Sequence, residues 1–151
     1  MIENPNVLYR AEATVAGGRE GHGRTSDGRL EVDLDVPTEM GGTGGPGTNP
    51  EQLFAVAYAA CFQSALLRLA AGRGLELGDA RLTARVGIGL VPDGGFGLVA
   101  ALDLDAPGLS PALAAELMRR AHEACPYSRA TRGNIEVTLT VRGAALERQA
   151  A

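Results

Sequence analysis

Alternating apolar and polar positions dominate the first third of the chain and predict β-strands. Residues 7–15 carry an apolar or small side chain at every second position, which predicts one strand. Asp27 and Gly28 form a dipeptide that is typical of hairpin turns. Residues 30–36 alternate again, with acidic residues between the apolar ones, and predict the strand that returns from this turn.

A long apolar segment follows and predicts a helix that begins at Asn49 and ends near residues 72–74. Asn49 is a favourable N-cap, and Pro50 suits the first helical position. Residues 53–69 are apolar almost all round, so we expect a buried central helix. The longest unbroken apolar run, residues 53–62, is shorter than a transmembrane helix requires, and we expect no membrane partner.

The second half of the chain predicts two more strands, a helix and a last strand. The predicted elements are strands over residues 82–90 and 98–104 around a turn at 92–95, a helix from Ser110 to about Ala124, and a strand over residues 135–141. The order is therefore βββ-α-ββ-α-β. Because the strands cluster as hairpins rather than as βαβ units, we predict the α+β class with antiparallel sheets.

Length, composition and charge narrow the functional classes. A chain of 151 residues suits a single domain over residues 1–151, and 45% hydrophobic residues are ordinary for a soluble globular protein. The net charge of −4 and the aromatic fraction of 4% argue against nucleic acid as a partner. The N-terminal sequence lacks a basic segment followed by an apolar one, so we expect no secretory signal and a cytoplasmic location.

The chain has two cysteines, and each lies in a distinctive context. Cys61 lies within the predicted apolar helix, and Cys125 lies at the end of the later helix, directly before Pro126. In the cytoplasm a cysteine pair is more often catalytic, redox-sensing or metal-binding than a structural disulfide. Two thiols that the fold brings together can carry out a redox cycle, in which one is oxidised and the other resolves it. The alternative is that both are inert, because free cysteine often only fills space in a core.

A reactive cysteine needs a nearby cation, because a cation lowers the pKa of a thiol from about 8.5. Arg19, in a glycine-rich break between predicted strands, is a candidate for that cation. Glu51, in the first turn of the predicted helix, could pair with the guanidinium and orient it. The alternative interpretations are a solvated loop residue for Arg19 and a helix-dipole partner for Glu51.

Two further patterns resemble a dinucleotide site and a zinc site, but each lacks a feature that such a site requires. Residues 42–47 match G-x-G-x-x-G, but they lack the short crossover and the acidic residue about 20 positions later that a dinucleotide site requires. We therefore interpret this segment as a flexible loop. A zinc site would need the two cysteines, His22 and His122 to converge, and no closely spaced ligand pair supports that arrangement. We expect no bound metal.

Long motifs around both cysteines resemble those of a known family. NPEQLFAVAYAACF (residues 49–62) and CPYSRATRGNIEV (residues 125–137) resemble the organic hydroperoxide resistance branch of the Ohr/OsmC superfamily. LYRAEATVAGGRE near the start and SDGRLEVDLDVP in the hairpin are similar as well. The resemblance covers residue 8 to about residue 141 in the same order and spacing. Arg129 departs from the family pattern, in which a polar uncharged residue is usual.

The resemblance implies a role for each candidate residue and an activity for the whole chain. Cys61 matches the peroxidatic cysteine, and Cys125 matches the resolving cysteine. Arg19 matches the arginine that activates the thiolate, and Glu51 matches the glutamate that holds this arginine. The implied activity is a thiol peroxidase for organic and fatty-acid hydroperoxides. It has no bound cofactor, and an external dithiol recycles it, either dihydrolipoamide or the dihydrolipoyl group of a lipoylated protein. The implied OsmC-like fold is an intertwined homodimer with long central helices and active sites at the interface.

Two expectations extend this resemblance. A pocket of apolar side chains that includes Phe54, Phe62 and Tyr127 would favour alkyl hydroperoxides, because hydrogen peroxide has no apolar surface to bury. Glu51 and Cys61 are ten positions apart on the predicted helix, so about 15 Å apart along its axis. If both act at one site, we expect Glu51 to come from the other subunit.

Three alternatives to this activity remain open at the level of sequence. The first is an OsmC-like peroxidase of broader specificity. The second is a thiol redox sensor that reacts once without turnover, although the chain offers no basic recognition helix of a DNA-binding repressor. The third is a structural dimeric module whose buried cysteines are inert.

Overall fold

The computed structural model describes residues 6–149, and the chain divides at Pro50 into two compact units. The first unit contains an antiparallel sheet in the order β1-β2-β3. Its strands are β1 (Ala13–Ala16), β2 (His22–Thr25) and β3 (Glu31–Asp33). The predicted turn at Asp27 and Gly28 is confirmed, since Gly28 adopts a φ of +70° between β2 and β3. Among residues 6–50 only Gly23 and Leu34 are buried.

The first strand is shorter than the alternation predicts. Residues 7–12 lie outside β1 although they keep the period-two pattern. β2 has only four residues, and its last residue, Thr25, lies opposite Ala13, the first residue of β1. Alternation indicates which face a side chain takes, but it does not indicate whether a partner strand is present. The predicted strand over residues 7–15 was therefore too long at its start.

The long apolar helix is confirmed as α1 (Pro50–Ala71). Its buried residues recur at helical spacing along one face and are Tyr58, Phe62, Ala65, Leu66 and Ala70. The prediction of a buried central helix holds for one face only, because Val56 is 72% exposed and Leu67 is 50% exposed. One face of the helix packs in a core and another face is uncovered in the single chain.

α1 is also long and apolar enough to cross a membrane, with 22 residues that include an 18-residue stretch of mean hydropathy 1.6. The sequence-based exclusion of a span considered only the unbroken run over residues 53–62 and so overlooked the whole helix. In the structure 28% of this 18-residue stretch is buried. The core helix of a soluble protein passes the same test, so length and composition alone do not assign α1 to a membrane.

The second unit contains a four-stranded sheet in the order β4-β5-β6-β7. Its strands are β4 (Arg81–Leu90), β5 (Phe96–Asp105), β6 (Glu136–Val141) and β7 (Ala144–Gln149). The predicted hairpin of β4 and β5 is confirmed. β5 and β6 pair in parallel, which corrects the expectation of purely antiparallel sheets. Parallel neighbours need a crossover, and α2 (Pro111–Ala124) and α3 (Pro126–Thr131) supply it.

Two elements were not predicted, namely α3 and β7. β7 follows a two-residue turn in which Arg142 and Gly143 both have positive φ, of 48° and 78°, as expected for a tight hairpin. The sequence offered only Gly143 as a turn signal for this last strand. The buried side chains of α1, α2, β5 and β6 form one core cluster. The α+β class is confirmed, and the single domain over residues 1–151 stays a prediction.

Candidate active site

One face of α1 carries three of the side chains around the thiol pair. Phe54, Tyr58 and Cys61 lie three, four and seven positions apart, so they project from the same side of the helix. Cys61 is half-buried and packs against the core cluster, and Tyr58 is completely buried. The helix face that bears Cys61 is therefore covered by other parts of the second unit.

Cys125 lies at the junction of α2 and α3, and Pro126 explains why the chain bends there. A residue before proline is restricted to extended backbone, and proline is favourable at the first position of a helix. Cys125 accordingly caps both helices, with φ −70° and ψ 125°. Its N–H donates to the carbonyl of Ala121 at 2.8 Å, and its carbonyl accepts from the N–H of Arg129 at 2.9 Å. The backbone of this buried cysteine is thus held from both helices.

The fold brings the two thiols together from positions 64 residues apart. The Sγ atoms of Cys61 and Cys125 are 3.5 Å apart, and the Cys125 thiol donates to the Cys61 sulfur. Both cysteines are free thiols. Since a disulfide bond is about 2 Å long, a small rotation or shift suffices to join them. The pair can therefore alternate between dithiol and disulfide within one chain.

The surroundings of Cys61 act on its pKa in opposite directions. Burial raises the pKa of the Cys61 thiol above its usual value, because a buried thiolate loses hydration. The backbone N–H of Tyr127, in the first turn of α3, lowers it by donating to the sulfur, and the neighbouring Cys125 raises it again. The net direction is upward, so a reactive thiolate at this position needs an additional stabilising charge.

Aromatic rings surround the same helix face. The rings of Phe54 and Tyr127 stack at 6.0 Å with an interplanar angle of 17°, and both contact the ring of Tyr58. Tyr127 is 37% exposed and Phe54 is partly buried, whereas Phe62 is completely buried. Of the three predicted pocket residues, Phe54 and Tyr127 therefore present surface that a small apolar molecule can contact, and Phe62 belongs to the core.

The OsmC-like protein family matches residues 42–140, a span that includes both cysteines. The chain belongs to this family. An organic hydroperoxide resistance protein of Xanthomonas axonopodis pv. citri is 51% identical over 142 residues, which are 93% of this chain and 99% of that protein. The protein OhrB of Bacillus subtilis, also named for organic hydroperoxide resistance, is 42% identical over 137 residues, which are 90% of this chain and 99% of OhrB.

Solved structures of this family have the same fold. An organic hydroperoxide resistance protein OsmC of Legionella pneumophila is similar with a TM-score of 0.85 and 46% identity, covering 90% of this chain and 98% of that one. The structure of OhrB of Bacillus subtilis gives a TM-score of 0.83 and 42% identity, covering 89% and 99%. The resemblance to the organic hydroperoxide resistance branch is therefore confirmed, as is the OsmC-like fold.

The two other predicted site residues of this family member lie in different units. Arg19 lies in a short 3-10 turn, Gly18–Glu20, between β1 and β2 of the first unit. Glu51 lies in the first turn of α1. Because α1 is one continuous helix, Glu51 and Cys61 of the same chain are about 15 Å apart along its axis. The roles assigned to Arg19 and Glu51 stay predictions.

A buried hydroxyl cluster beside the thiol pair was missed by sequence reasoning. The phenol of Tyr58 shares hydrogen bonds with the hydroxyls of Ser128 at 2.9 Å and Thr131 at 3.3 Å. Burial raises the pKa of Tyr58, so the phenol stays protonated at neutral pH. Tyr58 carries a polar hydroxyl within an otherwise apolar stretch, residues 53–62, and buried polar groups require partners. The Tyr58 hydroxyl therefore indicated that a buried hydrogen-bond partner exists, but its partners lie on α3, which was not predicted.

The patterns considered for nucleotides and zinc have other roles in this OsmC-like chain. The glycine-rich loop closes on the carboxylate of Asp35, which accepts from the N–H of Gly47 at 2.5 Å. A phosphate there would meet a negative charge. His22 binds Asp33 and Glu31 through its two ring nitrogens, and the hydrogen bond with Asp33 raises the pKa of His22. Residues 6–149 contain no group of three or more His, Cys, Asp or Glu that could hold a metal ion.

Proposed function

We propose that this protein is a thiol-dependent peroxidase that reduces organic hydroperoxides, including alkyl and fatty-acid hydroperoxides, to alcohols. The 3.5 Å separation between the sulfurs of Cys61 and Cys125 carries the proposal, because such a peroxidase needs a second thiol within reach of the oxidised one. The relatives named for organic hydroperoxide resistance support the substrate class.

The proposed reaction has two steps within the protein. The Cys61 thiolate attacks one peroxide oxygen, the O–O bond breaks, and the alkoxide takes up a proton and leaves as the alcohol. Cys61 is then a sulfenic acid, oxidised by two electrons. The Cys125 thiol attacks this sulfur, which forms a disulfide and releases water, and so prevents oxidation to sulfinic acid. The proximity of Cys125 in the reduced protein supports this assignment.

An external dithiol completes the cycle, and we propose a dihydrolipoyl group for this role. The first thiol of the reductant opens the Cys61–Cys125 disulfide, and its second thiol closes a lipoyl disulfide while both cysteines return to thiols. No bound cofactor is required, since the electrons pass through sulfur alone. Dihydrolipoamide or a lipoylated protein is the partner that we assign.

Arg19 is the cation that we assign to Cys61, with Glu51 as its partner. Burial and Cys125 raise the pKa of Cys61, and the N–H of Tyr127 opposes them. A guanidinium beside the sulfur would lower this pKa and would stabilise charge on the peroxide oxygens as their bond breaks. A carboxylate that pairs with the guanidinium would orient it.

Phe54 and Tyr127 are the contacts that we assign to the organic part of the substrate, with Phe62 behind them. Their stacked rings offer apolar surface, and burial of an alkyl chain against such surface is worth about 25 cal/mol per Å². Hydrogen peroxide gains nothing from this surface. The preference for organic hydroperoxides would therefore arise from binding rather than from the chemistry of the sulfur.

We propose that the active form is an intertwined homodimer with its active sites at the interface. From Gln52 onward the exposed residues of α1 recur mostly every three or four positions, and they are Gln52, Val56, Ala60, Ser64, Leu67, Arg68 and Ala71. This stripe mixes apolar with polar side chains, as protein interfaces do, and its one charged residue, Arg68, lies in the last turn of the helix. The first unit exposes Leu8 at 93% and Tyr9 at 77%. A second copy would cover these surfaces and would bring in the other copy's Glu51.

We place this activity in the cytoplasm, with neither nucleic acid nor membrane as a partner. The redox cycle requires both cysteines to return to free thiols, and the cytoplasm keeps thiols reduced. The polar residues Gln52 and Ser64 on the exposed stripe of α1 favour a protein rather than lipid as the covering surface.

Steady-state turnover tests the proposal. We expect wild type to consume cumene hydroperoxide rapidly and hydrogen peroxide slowly with dihydrolipoamide as reductant. Cys61→Ser should abolish consumption of both peroxides, and Cys125→Ser should react once per Cys61 and then lose activity by over-oxidation. Turnover that is indifferent to Cys61, or equal rates with the two peroxides, would refute the proposed function.

A further inference from the structure

We propose that Tyr58 is a positioning residue for the resolving step, and that its hydroxyl holds α3 so that Cys125 reaches oxidised Cys61. The reaction that this contact serves rests on the proposed function. The contact itself is a property of the fold and can be tested without any peroxide.

The hydroxyl cluster connects α1 to the segment that carries Cys125. The Tyr58 hydroxyl lies 2.9 Å from Ser128 Oγ and 3.3 Å from Thr131 Oγ1, and Thr131 Oγ1 also donates to the Ser128 carbonyl at 3.2 Å. Tyr58 and Ser128 are fully buried, and Thr131 is 8% exposed. Buried hydroxyls depend on such partners because water cannot replace them. The cluster therefore ties one helical turn of α1 to the middle and the end of α3.

α3 needs an external support of this kind. It has six residues, Pro126–Thr131, and a helix of this length is unstable by itself. Its place relative to α1 must therefore come from tertiary contacts. Tyr58 and Cys61 lie three positions apart on one face of α1. Tyr58 hydrogen-bonds to Ser128 of α3, and Cys61 contacts Cys125, which directly precedes α3. A shift of α3 away from Tyr58 would also change the separation of the two sulfurs.

The resolving step is sensitive to such a shift. Cys125 attacks the Cys61 sulfenic acid, an S–S bond forms, the S–O bond breaks, and the thiol proton leaves with the hydroxyl as water. The two sulfurs must close from 3.5 Å to about 2 Å. Misplacement of reacting groups by about 1 Å can slow a reaction about 100-fold. The attack of peroxide on Cys61 involves α3 only through Tyr127, whose N–H donates to the Cys61 sulfur, whereas the second step needs Cys125 itself to move. The contact with Tyr58 should therefore act on the second step much more than on the first.

Tyr58→Phe tests this assignment, because it keeps the ring and removes the hydroxyl. The exposed Tyr9 provides the matched control Tyr9→Phe. One equivalent of dipyridyl disulfide first forms a mixed disulfide on half-buried Cys61 and releases one pyridinethione. Cys125 then attacks this mixed disulfide, forms the Cys61–Cys125 disulfide and releases a second pyridinethione. We expect Tyr58→Phe to release the second pyridinethione about 10- to 100-fold more slowly than wild type and to change the release of the first much less. Tyr9→Phe should match wild type, and Cys125→Ser should release only the first.

Ser128→Ala provides a second test in case Tyr58→Phe folds poorly, because it removes the same hydrogen bond by deleting the hydroxyl on α3. We expect it to slow the second release as well, and the double variant Tyr58→Phe/Ser128→Ala to be no slower than the slower single variant. A second release at the wild-type rate in Tyr58→Phe would overturn the proposal. Independent, multiplying effects of the two substitutions would also overturn it, because the shared hydrogen bond would then not be the cause.

A peroxide experiment separates this proposal from the proposed function. With cumene hydroperoxide, Tyr58→Phe should still oxidise Cys61 but should accumulate more Cys61 sulfinic acid than wild type, detected by mass spectrometry, because resolution is slowed more than oxidation. If hydroperoxide does not oxidise Cys61 even in wild type, the peroxidase function fails. The dipyridyl disulfide measurement would still decide whether Tyr58 positions Cys125.

Discussion

The two units of this chain differ in how far each supplies its own core. The second unit buries Leu102, Leu117 and Leu139 completely. Cys125 belongs to this core, and Cys61 packs against it. In the first unit only Gly23 and Leu34 are buried among residues 6–50. A three-stranded sheet needs a covered apolar face to be stable. The thiol pair is therefore complete within one chain, whereas we expect the unit that carries Arg19 to need a second copy.

Substitutions of leucine in the two units should differ most in their effect on stability. Leu102→Ala in β5 removes a side chain with no exposed surface and should lower the free energy of unfolding by about 2–5 kcal/mol. Leu8→Ala removes a side chain that is 93% exposed and should cost less than about 0.5 kcal/mol at low protein concentration. Chemical denaturation at several concentrations measures both.

The concentration dependence of the Leu8 variant sharpens this comparison. If a second copy covers the first unit, the cost of Leu8→Ala should grow with protein concentration, because the assembled state is then the one that loses contacts. Equal costs for the two leucines in a dilute monomer would contradict the contrast between the units.

A charge on the exposed stripe of α1 should weaken association. Val56 is 72% exposed in the single chain, and Val56→Glu would bury a carboxylate in the proposed interface. We expect the dissociation constant of the dimer to rise at least about tenfold, or about 1.4 kcal/mol, as measured by sedimentation equilibrium. Val99→Glu on β5, at a position 53% exposed, is the matched control. An unchanged dissociation constant in Val56→Glu would show that the dimer interface does not include the exposed stripe of α1.

Removal of Arg19 should raise the pH at which Cys61 becomes reactive. Burial, with Cys125 as a smaller contribution, raises the pKa of Cys61. Without the guanidinium to counter this, the thiolate forms only at higher pH in Arg19→Ala. The alkylation of Cys61 by iodoacetamide should therefore be several-fold slower at neutral pH, with its midpoint shifted upward. Arg10→Ala, in the same unit, is the control. Identical pH profiles for Arg19→Ala and wild type would show that Arg19 does not lower the pKa of Cys61.

The local signals in the sequence predicted the positions of both cysteines well. Pro50 correctly predicted the start of α1, and Pro126 marked the bend that places Cys125 between two helices. The cluster around Tyr58 was not predictable in the same way, because its partner Ser128 lies 70 positions away. The exposure of Val56 was also missed, since an apolar pattern does not distinguish a core from an interface between copies.

The most direct test of the central claim follows the two cysteines after one equivalent of cumene hydroperoxide. We predict that mass spectrometry under non-reducing conditions finds one intramolecular Cys61–Cys125 disulfide for each molecule of alcohol formed. In Cys125→Ser, a sulfenic acid on Cys61, trapped by dimedone, should take its place. Consumption of the peroxide while Cys61 stays reduced, or a disulfide only between chains, would contradict the account.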